Sequence, residues 1–396
     1  MNSDYDVIII GGGASGLMCA SKLNKIDPSI RVLILEKNSK PGRKLLATGN
    51  GRCNFTNLKI FSSYYNTDDT KKLTKILYSY DAKKIIDYFD KDLGVVPAYK
   101  DDLVYPITYQ SKTVVDALCS SLSASKFIYD TEVTSVVKKD MKYVVNGIYS
   151  AFYVVIACGG VSLPQSGSDG SLYPVLRSFS GPDSFERLVP SLVSLRSSDK
   201  DIKKLSGIRQ ECEVHMDSRS EKGEILFTDN GVSGICVMQL SGMYNRAVSS
   251  GKKISSLYVD LIPSMNEKQK LDKVRSLIRS FPNRSKADAI SGLIKKPLAE
   301  CIVARSDNTA EDIARLIGRF EIRICGSNGF ENAQVTSGGL KLHNVTDGLE
   351  LKSCHGLFVC GEVLNVDGIC GGFNLHWAWA SAMTVADAIA DEFEEV

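Results

Sequence analysis

The chain has 396 residues, enough for two or three domains, because a single hydrophobic core stops growing near about 250–300 residues. Its composition, 43% hydrophobic and 24% charged with a formal net charge of +2, fits a soluble globular protein and gives no global pull toward nucleic acid, membranes or acidic partners. The eleven cysteines are odd in number and never form Cys-x-x-Cys, which argues against a disulfide framework or a zinc site and for reduced thiols in the cytoplasm.

The polar start, MNSDYD, fits no secretory signal. Residues 7–10 are an unbroken β-branched run halted by glycines, which predicts a buried parallel strand. Apolar residues recur at helical spacing over 14–24, and RVLILE, 31–36, predicts a second buried strand. The three make a βαβ unit and so a parallel sheet. Between strand and helix, Gly11, Gly13 and Gly16 stand in Gly-x-Gly-x-x-Gly spacing, and Glu36 ends the second strand. The spacing alone is weak and could be a plain glycine turn; with this context it predicts a dinucleotide fingerprint. Gly11 would allow the turn, Gly13 the approach of a pyrophosphate, and Gly16 close packing of helix on sheet. The pyrophosphate would sit on the helix start at Ala14 and Ser15. Glu36 would accept from ribose hydroxyls and disfavour a 2′-phosphate, with Lys37 beside it.

Residues 41–57, PGRKLLATGNGRCNFTN, concentrate glycine, basic and amide side chains beyond the needs of a surface loop. The segment is expected to wrap along the dinucleotide, with Arg43 and Lys44 near phosphate or flavin oxygens; Asn50, Arg52, Cys53 and Asn54 lie in the same stretch, Cys53 as a buried structural thiol without redox work. YVVIACGG, 153–160, predicts another strand of the sheet and carries Ala157 and Gly159. From 190 to about 261 short alternating segments predict antiparallel strands, 264–318 is polar and helical in period, and RFEIRICG returns to strand. Another strand is expected within 355–363. Gly361, Glu362, Asp367, Gly371 and Gly372 then form a loop of the ligand-enclosing kind, and a long helix carries Asn374, Leu375 and both tryptophans. Trp377 and Trp379 point to different sides, so at most one can approach the site.

The blocks GGGASGLMCA, GRKLLATGNGRCNFTN and GEVLNVDGICGGFNLHWAWASA, with FTDNGVSGICVMQLS and AQVTSGGL between them, resemble the BaiN-like, aminoacetone-oxidase-like family of FAD-dependent oxidoreductases in the glutathione-reductase-like superfamily. The resemblance covers most of the chain. It implies non-covalent FAD along Gly11–Gly16 and Glu36, flavin contacts from Arg43 to Asn54, adenine contact by the Val133 backbone, and closure by Gly361, Glu362, Asp367 and Gly371 to Leu375. Two positions depart from the family pattern: His376 stands where Gln is common, and Asp229 where His is common. The expected fold is α/β: a three-layer Rossmann-like FAD-binding domain with a parallel sheet (1–190 and 334–396), interrupted by a β-rich insertion (191–263 and 319–333) carrying a small helical subdomain (264–318).

No metal, nucleic-acid or membrane partner is expected. No second glycine fingerprint marks a nicotinamide domain, so NADH or NADPH would dock transiently. Two enzyme readings follow: reduction of an activated C=C bond in a small, steroid-like or bile-acid-like molecule, or oxidation of an amine such as aminoacetone by oxygen. A third makes FAD structural and residues 268–284, with six Lys or Arg, an RNA or protein footprint. No catalytic acid or base can be named; His376, Tyr105 and Asp229 are the candidates.

Overall fold

The computed structural model describes residues 4–394, which form two compact units: residues 4–188 with 335–394, and Val189–Gln334. In the first, the run Val7, Ile8, Ile9 has no solvent-exposed surface and lies in β1 (Asp4–Ile10). Helix α1 (Ala14–Ile26) follows, then β2 (Val32–Leu35), which pairs with β1 in parallel with Ile9 opposite Ile34. On its other side β1 pairs in parallel with β3 (Tyr149–Ile156), Ile8 opposite Val154. β3 ends sooner than its apolar run suggests, at Ile156, because Gly159 adopts a positive φ (76°) just beyond it. β4 (Leu357–Val359) lies parallel along the second half of β3.

The sheet is mixed rather than purely parallel. The first half of β3 pairs antiparallel with Lys142–Val145, which pairs antiparallel with Val136–Lys139. Residues 136–145 alternate and turn tightly at Asp140, the mark of a ribbon with a solvated face, so they extend the sheet without a crossover helix. Helix α2 (Phe373–Glu394) is apolar on most of its surface, and it packs along α1. Among the described residues, no helix is long and apolar enough to cross a membrane.

The second unit closes its strands into an antiparallel barrel, in the order Leu195–Ser197, Gly231–Ser233, Arg219–Thr228, Arg209–Met216, Ser256–Asp260 and Phe320–Ser327, the last returning to the first. Closure leaves no strand edge open to pairing. Helices Glu267–Ser280, Lys286–Ile290, Lys296–Arg305 and Ala310–Gly318 fill the polar stretch expected to be helical. Two elements depart from the expected strands of 190–261: Lys200–Lys204 is a short helix, and Ile235–Ser249 is a longer one. Its buried residues Cys236, Val237, Leu240, Ser241 and Tyr244 recur every three or four positions, so helical burial won over local strand character.

Candidate functional site

Three glycines set the turn after β1, each for a different reason. Gly11 has φ 109°, and a Cβ there would stand 2.6 Å from the Ala157 carbonyl oxygen. A Cβ on Gly16 would stand 1.9 Å from the Gly11 carbonyl oxygen, so α1 starts in contact with the strand end. At Gly13 nothing lies within 4 Å of the added atom, which leaves open space over the start of α1. Gly13 caps α1 without a side-chain bond, and the first turn holds no acidic residue. An anion is therefore favoured there by free amide groups and by the helix dipole.

Glu36 is buried beneath this turn. Its Oε2 accepts from the Gly12 amide (2.8 Å), and its Oε1 accepts from the backbone and side-chain nitrogens of Asn38 (2.8 and 2.6 Å). Of roughly four acceptor positions on a carboxylate, three are taken, which leaves one for a ribose hydroxyl. Asn38 also accepts from Arg43 Nη1 (2.7 Å), so in this structure Arg43 braces the turn and does not reach over it. Lys37 is drawn aside as well. Burial works against its charge, but Asp169 (2.5 Å) and Glu132 (3.5 Å) outweigh that and hold its pKa above the ordinary value. Val133 sits between Glu132 and Thr134, both tied down by Asn146, in a segment whose Thr131 amide donates to the Glu36 carbonyl (3.0 Å).

Residues 48–53 form a turn in which Gly49, Asn50, Gly51 and Cys53 all have positive φ, closed by the Cys53 amide on the Thr48 carbonyl (3.1 Å). Cys53 is fully buried and burial pushes its thiol up to about 12, so it stays protonated and packs. Asn50 and Arg52 are exposed, and the buried Oδ1 of Asn54 has no partner among the described residues. That orphan faces Gly372, whose added Cβ would stand 3.0 Å from it and 2.6 Å from the Thr56 carbonyl oxygen.

The segment after β4 closes the site from the other side. A Cβ on Gly361 would meet Ser15 Oγ at 2.5 Å, so this turn abuts the start of α1. Glu362 accepts from Lys44 Nζ (2.6 Å), Ser162 Oγ (2.9 Å) and the Thr336 amide (2.7 Å), and Lys44 also donates to Ser162 Oγ (2.6 Å). Asp367 accepts from Asn66 (2.9 Å) and Ser337 (2.8 Å), and Asn57 donates to the Gly371 carbonyl (2.9 Å). Both tryptophans are buried and each spends its indole N–H on a loop of the site: Trp377 on the Gly361 carbonyl (3.1 Å), Trp379 on the Phe55 carbonyl (2.8 Å).

Residues 5–388 match the family model described as the HI0933-like protein Rossmann domain. The chain belongs to this family. It is 31% identical to 3-dehydro-bile acid delta(4,6)-reductase of Clostridium scindens, over 97% of this chain and 98% of that one. It is 28% identical to ribosomal RNA dihydrouridine synthase of Haemophilus influenzae, over 98% of this chain and 100% of that one. Among solved structures, the open conformation of a flavocytochrome c3 fumarate reductase superposes with a TM-score of 0.55 at 14% identity, covering 98% of this chain and 78% of that one. A 3-ketosteroid delta1-dehydrogenase from Sterolibacterium denitrificans gives 0.50 at 12%, covering 98% and 100%. At these identities the two structures share the fold. This HI0933-like chain is an FAD-dependent oxidoreductase.

The residues present fit FAD: an open cradle at Gly13, a buried carboxylate at Glu36 with one acceptor position left, and an unpartnered Asn54 Oδ1 beside Gly372. Some expected contacts take other work. The Asn374 side chain pins Gly368 (2.8 and 2.9 Å) in place of facing a ligand edge, because it sits at the helix start where the loop turns back. His376 is fully buried with Nδ1 on Thr56 Oγ1 (2.8 Å), and burial lowers its pKa to about 4. Burial thus keeps it neutral inside the packed helix. Asp229 is exposed at the Arg219–Thr228 turn of the barrel unit. Tyr105, half-buried on strand Leu103–Pro106, lies against the 48–53 turn, its ring edge 3.9 Å from where a Gly49 Cβ would stand. Burial raises its pKa, Arg52 works against that and Cys370 adds to it. The sequence did not single out Asn38, Ser162 or Thr336; the run GGVSLPQSGSDG, 159–170, was the available signal, a second Gly/Ser cluster just past a strand.

Proposed function

We propose that this protein reduces a C=C bond conjugated to a carbonyl, with NADH or NADPH as the electron source. Bound FAD would supply the hydride-carrying centre at its N5 atom. Gly13 and the first-turn amides of α1 would hold the pyrophosphate, Glu36 a ribose hydroxyl, and the Lys44–Glu362 pair the middle of the cofactor. Asn54 and Gly372 would flank the ring.

The observation that carries the reading is a phenol beside the proposed ring site: Tyr105, half-buried on strand Leu103–Pro106, lies against the 48–53 turn near Arg52, while the one histidine of α2 is buried. A phenol carries its proton at neutral pH and can give it up. Saturating a conjugated C=C bond needs a hydride at one carbon and a proton at the other. The Tyr105 hydroxyl would provide the proton, and Arg52 would stabilise the resulting phenolate. Amine oxidation would call for a base instead. Both kinds of relative support the same chemistry, since a delta(4) bile acid with a 3-oxo group and a uridine ring each hold a C=C bond conjugated to a carbonyl.

The substrate we favour is a small steroid-like enone. Uridine in ribosomal RNA is the second reading, favoured by full-length relatives of that name. The basic stretch 268–284 offers less phosphate-binding charge than its sequence suggests, because Lys270 pairs with Asp260 (2.6 Å) and Arg275 with Glu311. The test is anaerobic mixing of the yellow protein with NADH or NADPH, followed by a 3-oxo-delta(4) steroid acid or a uridine-containing rRNA fragment. Bleaching by the nicotinamide, colour return on adding the steroid and a product heavier by two hydrogens support the proposal. Colour return with RNA alone moves the substrate to the second reading. Bleaching by a primary amine without nicotinamide overturns the reductase.

A further inference from the structure

The barrel unit brings together two cysteines that no sequence motif links. Cys212 stands opposite Gly223 in the pairing of Arg209–Met216 with Arg219–Thr228, and its thiol donates to the Gly223 carbonyl at 3.4 Å. Cys236 is the second residue of helix Ile235–Ser249. A Cβ on Gly223, which has φ 150°, would lie 3.6 Å from Cys236 Cβ, so the helix start rests on the strand pair beside Cys212. The two thiols interact side chain to side chain, and both residues lie in the barrel core.

Their electrostatics differ. The neighbouring Cys212 side chain lowers the Cys236 pKa, burial opposes this, and the Val237 and Cys236 amides at the helix start lower it further. Cys212 is pushed far up, first by the adjacent Cys236 side chain and then by burial. Cys236, at a helix N-terminus, is thus the more readily ionised sulfur and Cys212 the one that keeps its proton, the division of labour found in dithiols that cycle between reduced and oxidised forms.

We propose that Cys212 and Cys236 form a redox couple that closes to a disulfide when a small peroxide reaches the barrel interior. The Cys236 thiolate attacks one peroxide oxygen, breaks the O–O bond and becomes a sulfenic acid, and the other oxygen leaves as water after taking up a proton. Cys212 sulfur then displaces the sulfenic oxygen, which leaves as a second water with the Cys212 proton. Two thiols lose two electrons and two protons, and one peroxide becomes two waters. Because both side chains are buried, a peroxide enters on local opening of the helix start, and large disulfides such as oxidised glutathione do not. The couple does not depend on the reaction proposed for the FAD site.

The FAD-loaded protein is treated with hydrogen peroxide at neutral pH, blocked with an alkylating agent and mapped without reduction. The expected result is a loss of about 2 Da, a single Cys212–Cys236 link that dithiothreitol reverses, and closure before the exposed Cys325 is consumed. Cys212→Ser should trap Cys236 as a dimedone adduct, and Cys236→Ser should leave Cys212 unlabelled. Oxidation of Cys325 with Cys212 and Cys236 still unlinked overturns the proposal, as does equal dimedone labelling of Cys212 in Cys236→Ser. The wild-type map decides the question even if a variant does not fold.

Discussion

Replacing Gly13 and Gly16 separately by alanine separates holding a cofactor from holding the fold. At Gly13 the backbone is extended (φ −84°, ψ −168°) and a Cβ meets nothing within 4 Å, so the apo-protein accepts it. Alanine is a poorer helix cap than glycine, which costs about 0.5–1 kcal/mol. Lower entropy of the unfolded chain offsets about 0.4–1 kcal/mol of that. The apo melting temperature should therefore move by no more than about 2 °C, at about 2–4 °C per kcal/mol for a domain of this size. The same methyl occupies the space above the first-turn amides. Loss of one charge-assisted hydrogen bond, about 1.5–3 kcal/mol, weakens FAD binding by about ten- to a hundredfold. At Gly16 the added atom stands 1.9 Å from a backbone oxygen that cannot swing away, so α1 must shift. The cost is about 3 kcal/mol, or about 6–12 °C, with or without FAD. Circular dichroism melts of apo-protein and fluorescence titration with FAD measure both. Wild-type FAD affinity in Gly13→Ala would refute the placement of the pyrophosphate, and wild-type apo stability in Gly16→Ala would refute the packing argument.

Trp379→Phe leaves the buried Phe55 carbonyl unpaired, a loss of about 1–3 kcal/mol beyond the lost packing; thermal melts and the fraction of FAD retained on purification should both fall, and an unchanged melt would show that another group satisfies the carbonyl. His376 stays neutral down to about 4 when folded and titrates near 6.5 when unfolded. The unfolded chain thus takes up its proton first, and stability is lost as pH falls from 6.5 toward 4, by about 3 kcal/mol in full. His376→Gln, which cannot titrate, should lose less over that window; parallel melts at pH 7 and pH 4.5 check this. Tyr105→Phe should slow reduction of the enone at least tenfold and leave bleaching by NADPH within about twofold, since only the proton transfer is removed; equal slowing of both half-reactions in stopped flow would count against the assigned role.

The parts of the site legible in the sequence were those set by local backbone need. Gly11, Gly13 and Gly16 announce their turn because each position excludes or must leave empty a Cβ, and the order of the three segments followed from strand, glycine and helix signals. What stayed hidden depends on partners far away along the chain. Asn38 and Arg43 brace Glu36, so a basic residue that looked aimed at phosphate is spent on scaffolding, and Thr336 reaches Glu362 only because the chain returns to the first unit after the barrel. The barrel was equally hidden, since its closure rests on Leu195–Ser197 meeting Phe320–Ser327, a pairing no short pattern encodes.

The two indole bonds also impose a schedule on synthesis. Phe55 receives its donor from a residue 324 positions later. At about 5–20 residues per second, the loop beside Asn54 waits roughly 15–65 seconds on the ribosome before Trp379 exists. During that interval the βαβ unit and the barrel can each be made, yet the Phe55 carbonyl has no indole partner. On the site proposed above, cofactor capture would wait until α2 has been made, and a chain truncated before that helix would fold in parts and stay colourless.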